Sequence, residues 1–537
     1  MMIPESAFDR FREVLRRSGF AAELEHRLRE GAGGAPRRLS VEVLLAACIA
    51  VNGKGHKSAT LVQVHRVLTR DLTVSAQYRA GTRWKVGAAT EHLTLRQVRY
   101  LFKRICTLLD YSPHTATGLT SLERDNREDE LFAWLNTTVR AAIPAGVDLA
   151  TGLAIDASSA PTASRPGSDA PSAKGEADYR GDKSAFARQS TGAWDPDGRW
   201  AHETKTHEKG TGRAFGFTMI AGVGVHDVNS PFRTLHLVQS LTLTPNGYNN
   251  PAPTLRMIDE YTTAGHTLSK LLSDRGFSNW DKATWADELL RRDIDQVIDI
   301  HESDRGARTD RATGVVMIDG WPYLPWVPKA LHKIPRPTRL KLVKPKDTAK
   351  PKKKRTYAKL LAELDAFRTA QAELAKYALI ANTKRKKNGS RQFKVPSYRR
   401  ELATAAHRDT KVFRQPTVVL PAHVGGKIRQ HERWGSDAWI DEYSPRTFVE
   451  GLFGTFQSRD GEGVRRGWIR VVGLTATTLM TALAMVHYNL RIVRRWARRT
   501  GFQNDDILLA ADPKIAGYEA VPIDETPHGA IDPPVAA

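Results

Sequence analysis

Three acidic residues far apart in the chain, Asp156, Asp274 and Glu450, are of the type that metal-assisted phosphoryl transfer uses. Hard divalent cations such as Mg²⁺ or Mn²⁺ take oxygen ligands and keep several waters. Two such ions about 3.5–4 Å apart activate a water or a 3′-hydroxyl and stabilise the leaving oxygen of an in-line displacement. One carboxylate bridging both ions, plus one more for each, is the smallest set that does this. Asp156 suits the bridging role, and Glu450 reaches in from the side. No histidine base or nucleophilic side chain is required.

The neighbourhood of each acid sharpens the reading. Glu450 lies in Tyr443-Ser-Pro-Arg446-Thr-Phe-Val-Glu450, which continues to Gln457. On one continuous helix Tyr443, Arg446, Glu450 and Gln457 fall at roughly 0°, 300°, 340° and 320°, a single polar stripe. Phe448, Val449, Leu452, Phe453 and Phe456 fall on the opposite side. The alternative is an amphipathic surface helix with an Arg446–Glu450 pair at i,i+4. Asp156 closes the apolar run Val147–Ile155, which predicts a strand with the aspartate at its carboxyl end. Asp274 closes a second predicted strand, 266–274. Alone, each aspartate would read as a turn or cap residue.

Around these acids the elements alternate. Strands are predicted at 216–226 and 234–243, helices at 255–261 and 280–292, and a strand at 295–300. This is an α/β layer architecture with a mixed sheet. Residues 1–145 read as a helical N-terminal domain. Within it, Leu39–Val51 and Ala59–Leu68 flank Asn52-Gly53, with His56, Lys57, His65, Arg66 and Arg70 nearby, and suggest a helix-turn-helix on DNA. Residues 146–304 read as the first part of a catalytic core, and about 157–214 within it as a Gly/Pro/Ser-rich passage.

Residues 305–440 read as an insertion. It opens with a hairpin around Asp319-Gly320 whose Trp321 and Trp326 read as packing residues first and as a wedge for a flipped base second. The basic tract Lys341, Lys344, Lys346, Lys350, Lys352, Lys353, Lys354 and Arg355 follows, then a predicted helix 358–379, then Lys384–Lys387. Two clusters flanking one helix suit phosphate contact better than a merely solvated loop. Residues 441–503 return to the core as helices, and 504–537 read as a disordered acidic tail.

Composition supports a polyanionic partner. The 537 residues carry a formal net charge of +22, which favours nucleic acid over a neutral substrate. Two cysteines, Cys48 and Cys106, lack CxxC spacing; this excludes a disulfide framework and a zinc ribbon and suits a reducing cytoplasm. The opening residues read as polar rather than as a signal peptide. Val471–Val486 is too short and threonine-rich for a membrane span and reads as a buried helix.

With these residues in view, the chain resembles bacterial insertion-sequence transposases of the DDE class, whose catalytic domain is RNase H-like. Their Tyr-x2-Arg-x3-Glu-x6-Lys signature reads here Tyr443, Arg446, Glu450 and Gln457, with glutamine in place of lysine. Asp274-Arg275-Gly-Phe, Ile-Asp156, the Asp195-Pro-Asp-Gly-Arg199 passage and Asn489-Leu-Arg491 resemble the family as well. The resemblance implies strand cleavage at terminal inverted repeats and strand transfer to target DNA. It implies Asp156, Asp274 and Glu450 as catalytic residues and metal ligands for two Mg²⁺ or Mn²⁺ ions. It also implies DNA contact by Arg275, Tyr443, Arg446, Gln457 and the Lys352, Lys353, Lys354, Arg355 cluster. The partners would be double-stranded DNA and further copies of the chain, in a bacterial cytoplasm and not on a membrane. Two rivals stay open: an RNase H-fold nuclease without strand transfer, and a non-catalytic DNA-binding descendant of a transposase.

Overall fold

Apolar residues at helical and alternating spacing set the elements of this computed structural model. It describes residues 2–30, 37–53, 56, 58–144, 149–166, 193–204, 211–225, 235–246, 251–342, 344–345, 351–383, 385–458, 461–465 and 467–499. The expected tail, most of the 157–214 passage, and Lys346, Lys350 and Lys384 of the basic clusters lie outside them. The chain divides into two compact units: Met1–Thr267 with Thr447–Ala537, and Leu268–Arg446. It is a mixed α/β protein. Among the described residues no helix is long and apolar enough to cross a membrane.

The first unit begins with α1 (Glu5–Ser18) and α2 (Phe20–Arg29), joined at Gly19, whose φ of 73° turns the chain in the left-handed region. Next come α3 (Val41–Ala50), α4 (Leu61–Arg66), α5 (Val74–Arg79), the antiparallel hairpin β1 (Arg83–Val86) and β2 (Ala89–His92), α6 (Leu95–Leu109) and α7 (Ser121–Ala141). The expected helix-turn-helix is not what α3 and α4 form. Apolar residues surround α3, so nearly all of it is buried. After Arg66 the chain passes into a π turn, Val67–Asp71. Two of the nearby basic residues are engaged internally: Arg66 pairs with buried Asp71 at 3.4 Å, and His65 Nε2 lies 2.8 Å from the Leu93 carbonyl; Lys57 lies outside the described residues.

A sheet follows: β3 (Gly152–Pro161), β4 (Arg199–Thr204), β5 (Thr211–Val225) and β6 (Val238–Pro245), then α8 (Ala252–Thr263). The long β5 pairs antiparallel with β3 along one edge and with β4 and then β6 along the other.

The second unit opens with β7 (Lys270–Ser273), the short α9 (Arg275–Ser278) and α10 (Ala286–Arg291), and β8 (Asp295–Ile298), which pairs parallel with β7. Two small antiparallel sheets come next. The first joins β9 (Ala307–Thr309), β10 (Val316–Ile318) and β11 (Trp321–Tyr323). Its turn holds Asp319 and Gly320 at φ 46° and 82°, the two positive φ angles of a tight hairpin. Then α11 (Pro351–Ala375) leads to β12 (Ile380–Ala381), β13 (Arg391–Lys394), the short α12 (Ala405–Arg408) and α13 (Lys411–Arg414), and β14 (Thr417–Leu420). The helix expected at 358 starts at 351, because Pro351 is tolerated in a first turn. Lys352–Arg355 therefore belong to the helix and not to a loop before it. Trp321 and Trp326 are buried, their indole N–H groups donating to the Leu379 and Tyr398 carbonyls at 3.0 and 2.9 Å. They pack the unit and offer no wedge.

The unit ends with α14 (Asp437–Tyr443). The chain then returns to the first unit with α15 (Thr447–Gln457) and α16 (Leu474–Arg499). Threonine and aliphatic residues bury α16 against α3, α7 and β6. Asn489 on α16 accepts from Val238 N (2.9 Å) and donates to Val238 O (2.8 Å) and Val139 O (3.2 Å). Asn136 on α7 accepts from Leu241 N at 2.8 Å. These amides satisfy backbone groups on β6 that lack a strand neighbour.

Candidate functional site

The single helix expected over 443–457 is broken. Pro445 has no N–H and would clash with the carbonyl four residues back, so α14 stops at Tyr443, a 3-10 turn covers Ser444–Arg446, and α15 starts afresh at Thr447. The expected stripe is thus split among three elements, with Tyr443 on α14, Arg446 in the 3-10 turn, and Glu450 and Gln457 on α15. Tyr443 and Arg446 belong to the second unit, Glu450 and Gln457 to the first. The aromatic face is as expected: Phe448, Val449, Leu452, Phe453 and Phe456 are all buried.

In the first unit α15 packs on β3 and β5. Gln457 Nε2 donates to Ser158 Oγ at 2.9 Å and to the Ser159 carbonyl at 3.2 Å. Side chains alternate along a strand, so Asp156 shares the Ser158 face of β3. Glu450 lies two turns before Gln457, within about 20° of it on the helix. The Gln457 bond thus sets α15 against the strand face that also carries Asp156, and Glu450 lies on the same side of the helix as Gln457. Asp156 is half-buried and Glu450 exposed. Asp156 sits in mid-strand, opposite Ala221, and not at the carboxyl end, because pairing with β5 runs on to Pro161. Its Oδ1 accepts from the Ala157 amide at 2.8 Å.

In the second unit β7 ends at Ser273 and Asp274 caps α9, its Oδ1 accepting from Gly276 N at 2.8 Å. Ser273 pairs with Ile298 across the parallel strands, so Asp274 and Asp299 occupy matching positions just past the two strand ends. Asp299 is buried. It accepts from the Trp434 indole at 3.1 Å and holds the Arg336 guanidinium at 2.8 Å, with Arg275 Nε 3.7 Å away. Arg275, expected on DNA, is mostly exposed beside it. Tyr443 stacks on Trp439 with ring centroids 4.8 Å apart, and the Arg446 guanidinium lies 5.4 Å from the Tyr443 ring. Burial pushes the Tyr443 phenol well above its usual range, offset in part by Arg446 and reinforced by Asp299 and Asp274.

Asp299 and Arg336 are the residues that sequence reasoning passed over. The available signal was Asp299 itself, which follows the apolar pair Val297-Ile298 much as Asp274 closes its own strand. Lys352, Lys353, Lys354 and Arg355 are all exposed in the first turn of α11. Cations there oppose the helix dipole, so they do not serve the helix.

The Asp195–Arg199 passage has a structural place. Asp195 and Asp197 are buried at the start of α16, accepting from Gly473 N at 3.2 Å and Leu474 N at 2.8 Å, and Ser112 Oγ donates to Asp197. Burial and the Asp197 charge push the Asp195 carboxyl up to about 6.

The donors at Asp156, Asp274 and Glu450 are hard oxygens, the kind Mg²⁺ or Mn²⁺ takes. Among the described residues no three His, Cys, Asp or Glu side chains are gathered as a metal-holding group. No protein-family model, curated protein or solved structure matches the chain.

Proposed function

We propose that the chain is a DNA transposase of the DDE class with an RNase H-like core, cleaving transposon ends and joining them to target DNA. The observation that carries this reading is the packing of α15 on β3, in which Gln457, on the Glu450 side of the helix, bonds Ser158 on the strand face that carries Asp156. Asp274, one residue past a parallel strand, is the third acid. The strand pattern supports the same fold: β3, β5 and β6 pair antiparallel, and the parallel pair β7 and β8 follows with helices between.

In this reading Asp156, Asp274 and Glu450 would hold two divalent ions, and such ions would supply charge neutralisation at the phosphate and a more acidic attacking water or 3′-hydroxyl. Arg275, Arg446 and Gln457 position the DNA backbone, Tyr443 orients Arg446, and Lys352–Arg355 add phosphate contacts. Further copies of the chain bring two transposon ends together.

The test uses pre-cleaved transposon-end DNA, a target plasmid and Mg²⁺. Joined product supports the proposal. Hydrolysis without joining leaves a nuclease, and DNA binding without either reaction leaves a non-catalytic binder.

A further inference from the structure

The N-terminal helices carry a second charged feature that the proposed chemistry does not use. Along α6, Arg96, Arg99, Tyr100 and Lys103 fall within an arc of about 100°, opposite buried Val98, Leu101, Phe102, Ile105 and Leu109. Arg96, Arg99 and Lys103 are exposed, and Tyr100 is 57% exposed among them. The helix has no acidic residue. Among the described residues nothing forms an ion pair or hydrogen bond with these three cations. Several other arginines of this unit are neutralised: Arg12 and Arg16 by Glu42, Arg27 by Glu23 and Glu130, Arg79 by Glu5, and Arg256 by Asp129. Like charges three, four and seven residues apart repel and weaken a helix. Folding therefore gives no reason for them, whereas a polyanion does.

The scaffold holds this face rigidly. A capping box fixes the start of α6, with Thr94 N donating to Gln97 Oε1 at 2.8 Å and Gln97 N to Thr94 Oγ1 at 3.3 Å. The β1–β2 hairpin emerges directly before it, its stem closed by Leu93 N to Thr82 O at 2.9 Å. Lys85 and His92 on the hairpin are exposed.

We propose that the outward face of α6 — Arg96, Arg99, Tyr100 and Lys103 — with the β1–β2 hairpin beside it docks double-stranded DNA, the helix lying in the major groove. That groove, about 12 Å wide, admits one helix, and Arg96 to Lys103 spans about 10 Å. A rigid helix does not enter the deep, narrow major groove of A-form RNA. With Tyr100 as its one large ring, the face has little apolar surface to bury in a bilayer. The three cations take phosphates or guanine edges, and the Tyr100 hydroxyl takes a phosphate or base edge. The proposal rests on the DNA-acting reading only for the identity of the polyanion.

The test measures binding of the full chain to a random-sequence duplex of about 30 base pairs by fluorescence anisotropy, between about 50 and 200 mM salt. Arg96→Ala/Arg99→Ala/Lys103→Ala is expected to weaken binding at least about 10-fold and to flatten the log–log salt slope by roughly 2.7, about 0.9 per lost contact. Arg96→Lys/Arg99→Lys is expected to keep the slope. An unchanged affinity and slope in the folded triple variant overturns the proposal. So does wild-type protein that binds anionic vesicles or double-stranded RNA but not this duplex. The two readings fail separately. Strand transfer by wild type with DNA binding unaltered in the triple variant sinks only the α6 surface. Duplex binding that depends on α6, without Mg²⁺-dependent cleavage, sinks only the transposase.

Discussion

Gln457 on α15 donates a 2.9 Å hydrogen bond to Ser158 on β3, two residues along the strand from Asp156. The bond fixes which side of the strand faces the helix, and so couples the placement of Glu450 to that of Asp156. Gln457→Ala is expected to lower stability by about 1 kcal/mol, read as a fall in Tm. Gln457→Lys keeps a donor and adds charge. It is expected to hold Tm and to steepen the salt dependence of DNA binding by about one in log–log slope. An unchanged slope would remove this position from the DNA path.

The three acids make the sharpest kinetic prediction. Asp156→Asn, Asp274→Asn and Glu450→Gln are each expected to lower Mg²⁺-dependent cleavage by at least about 10³-fold, an effect of roughly 4 kcal/mol on the barrier. Binding of duplex DNA should change less than about 3-fold, because none of these substitutions removes a cation that contacts phosphate. Cleavage that survives one substitution removes that residue from the site.

Asp299 is buried and neutralises Arg336, with Arg275 close by. Removing one partner from such a group leaves charge unpaired in a poorly solvated place. Asp299→Ala is therefore expected to destabilise the second unit by about 3–5 kcal/mol, and Asp299→Asn by less because it still accepts from Trp434. Thermal unfolding of both variants checks the order.

Asp195 predicts a pH dependence. Its folded-state pKa of about 6 lies above the unfolded value, so between about pH 4 and 6 the folded chain binds more proton than the unfolded one. The stability contributed by this group falls as pH rises through that window. The groups facing it set the value: Asp197, itself buried, raises it, and hydrogen bonds from Gly473 N, Asp197 N and Thr162 lower it. Around Asp197, Ser112, His114 and Arg199 act in turn. Asp195→Asn is expected to flatten the decline in Tm between about pH 4 and 6. An equally steep decline in the variant would assign the proton to another group.

Much of the fold was legible because its signals are local. The apolar run Val471–Val486 marked the buried stretch of α16. Asp319-Gly320 announced the β10–β11 turn, and the aromatic face of α15 was readable from spacing alone. Pro445 was also visible as a helix breaker: a 3-10 turn over Ser444–Arg446 separates Tyr443 on α14 from Glu450 and Gln457 on α15. The Lys352–Arg355 tract read as a loop because charge hides helix propensity when no apolar stripe accompanies it.

The sequence by itself determined the chemical types: hard-oxygen acids, an amide at Gln457, and a strong excess of positive charge. Tertiary structure alone decided which of those residues keep company. Strand registry put Asp156 in mid-strand and matched Asp274 with Asp299, because pairing depends on a partner strand remote in sequence. Burial decided that α3 is core and that α6 shows solvent an unpaired basic face. Ion pairing depends on which acids the folded chain brings within reach, and spacing along one helix does not contain that information.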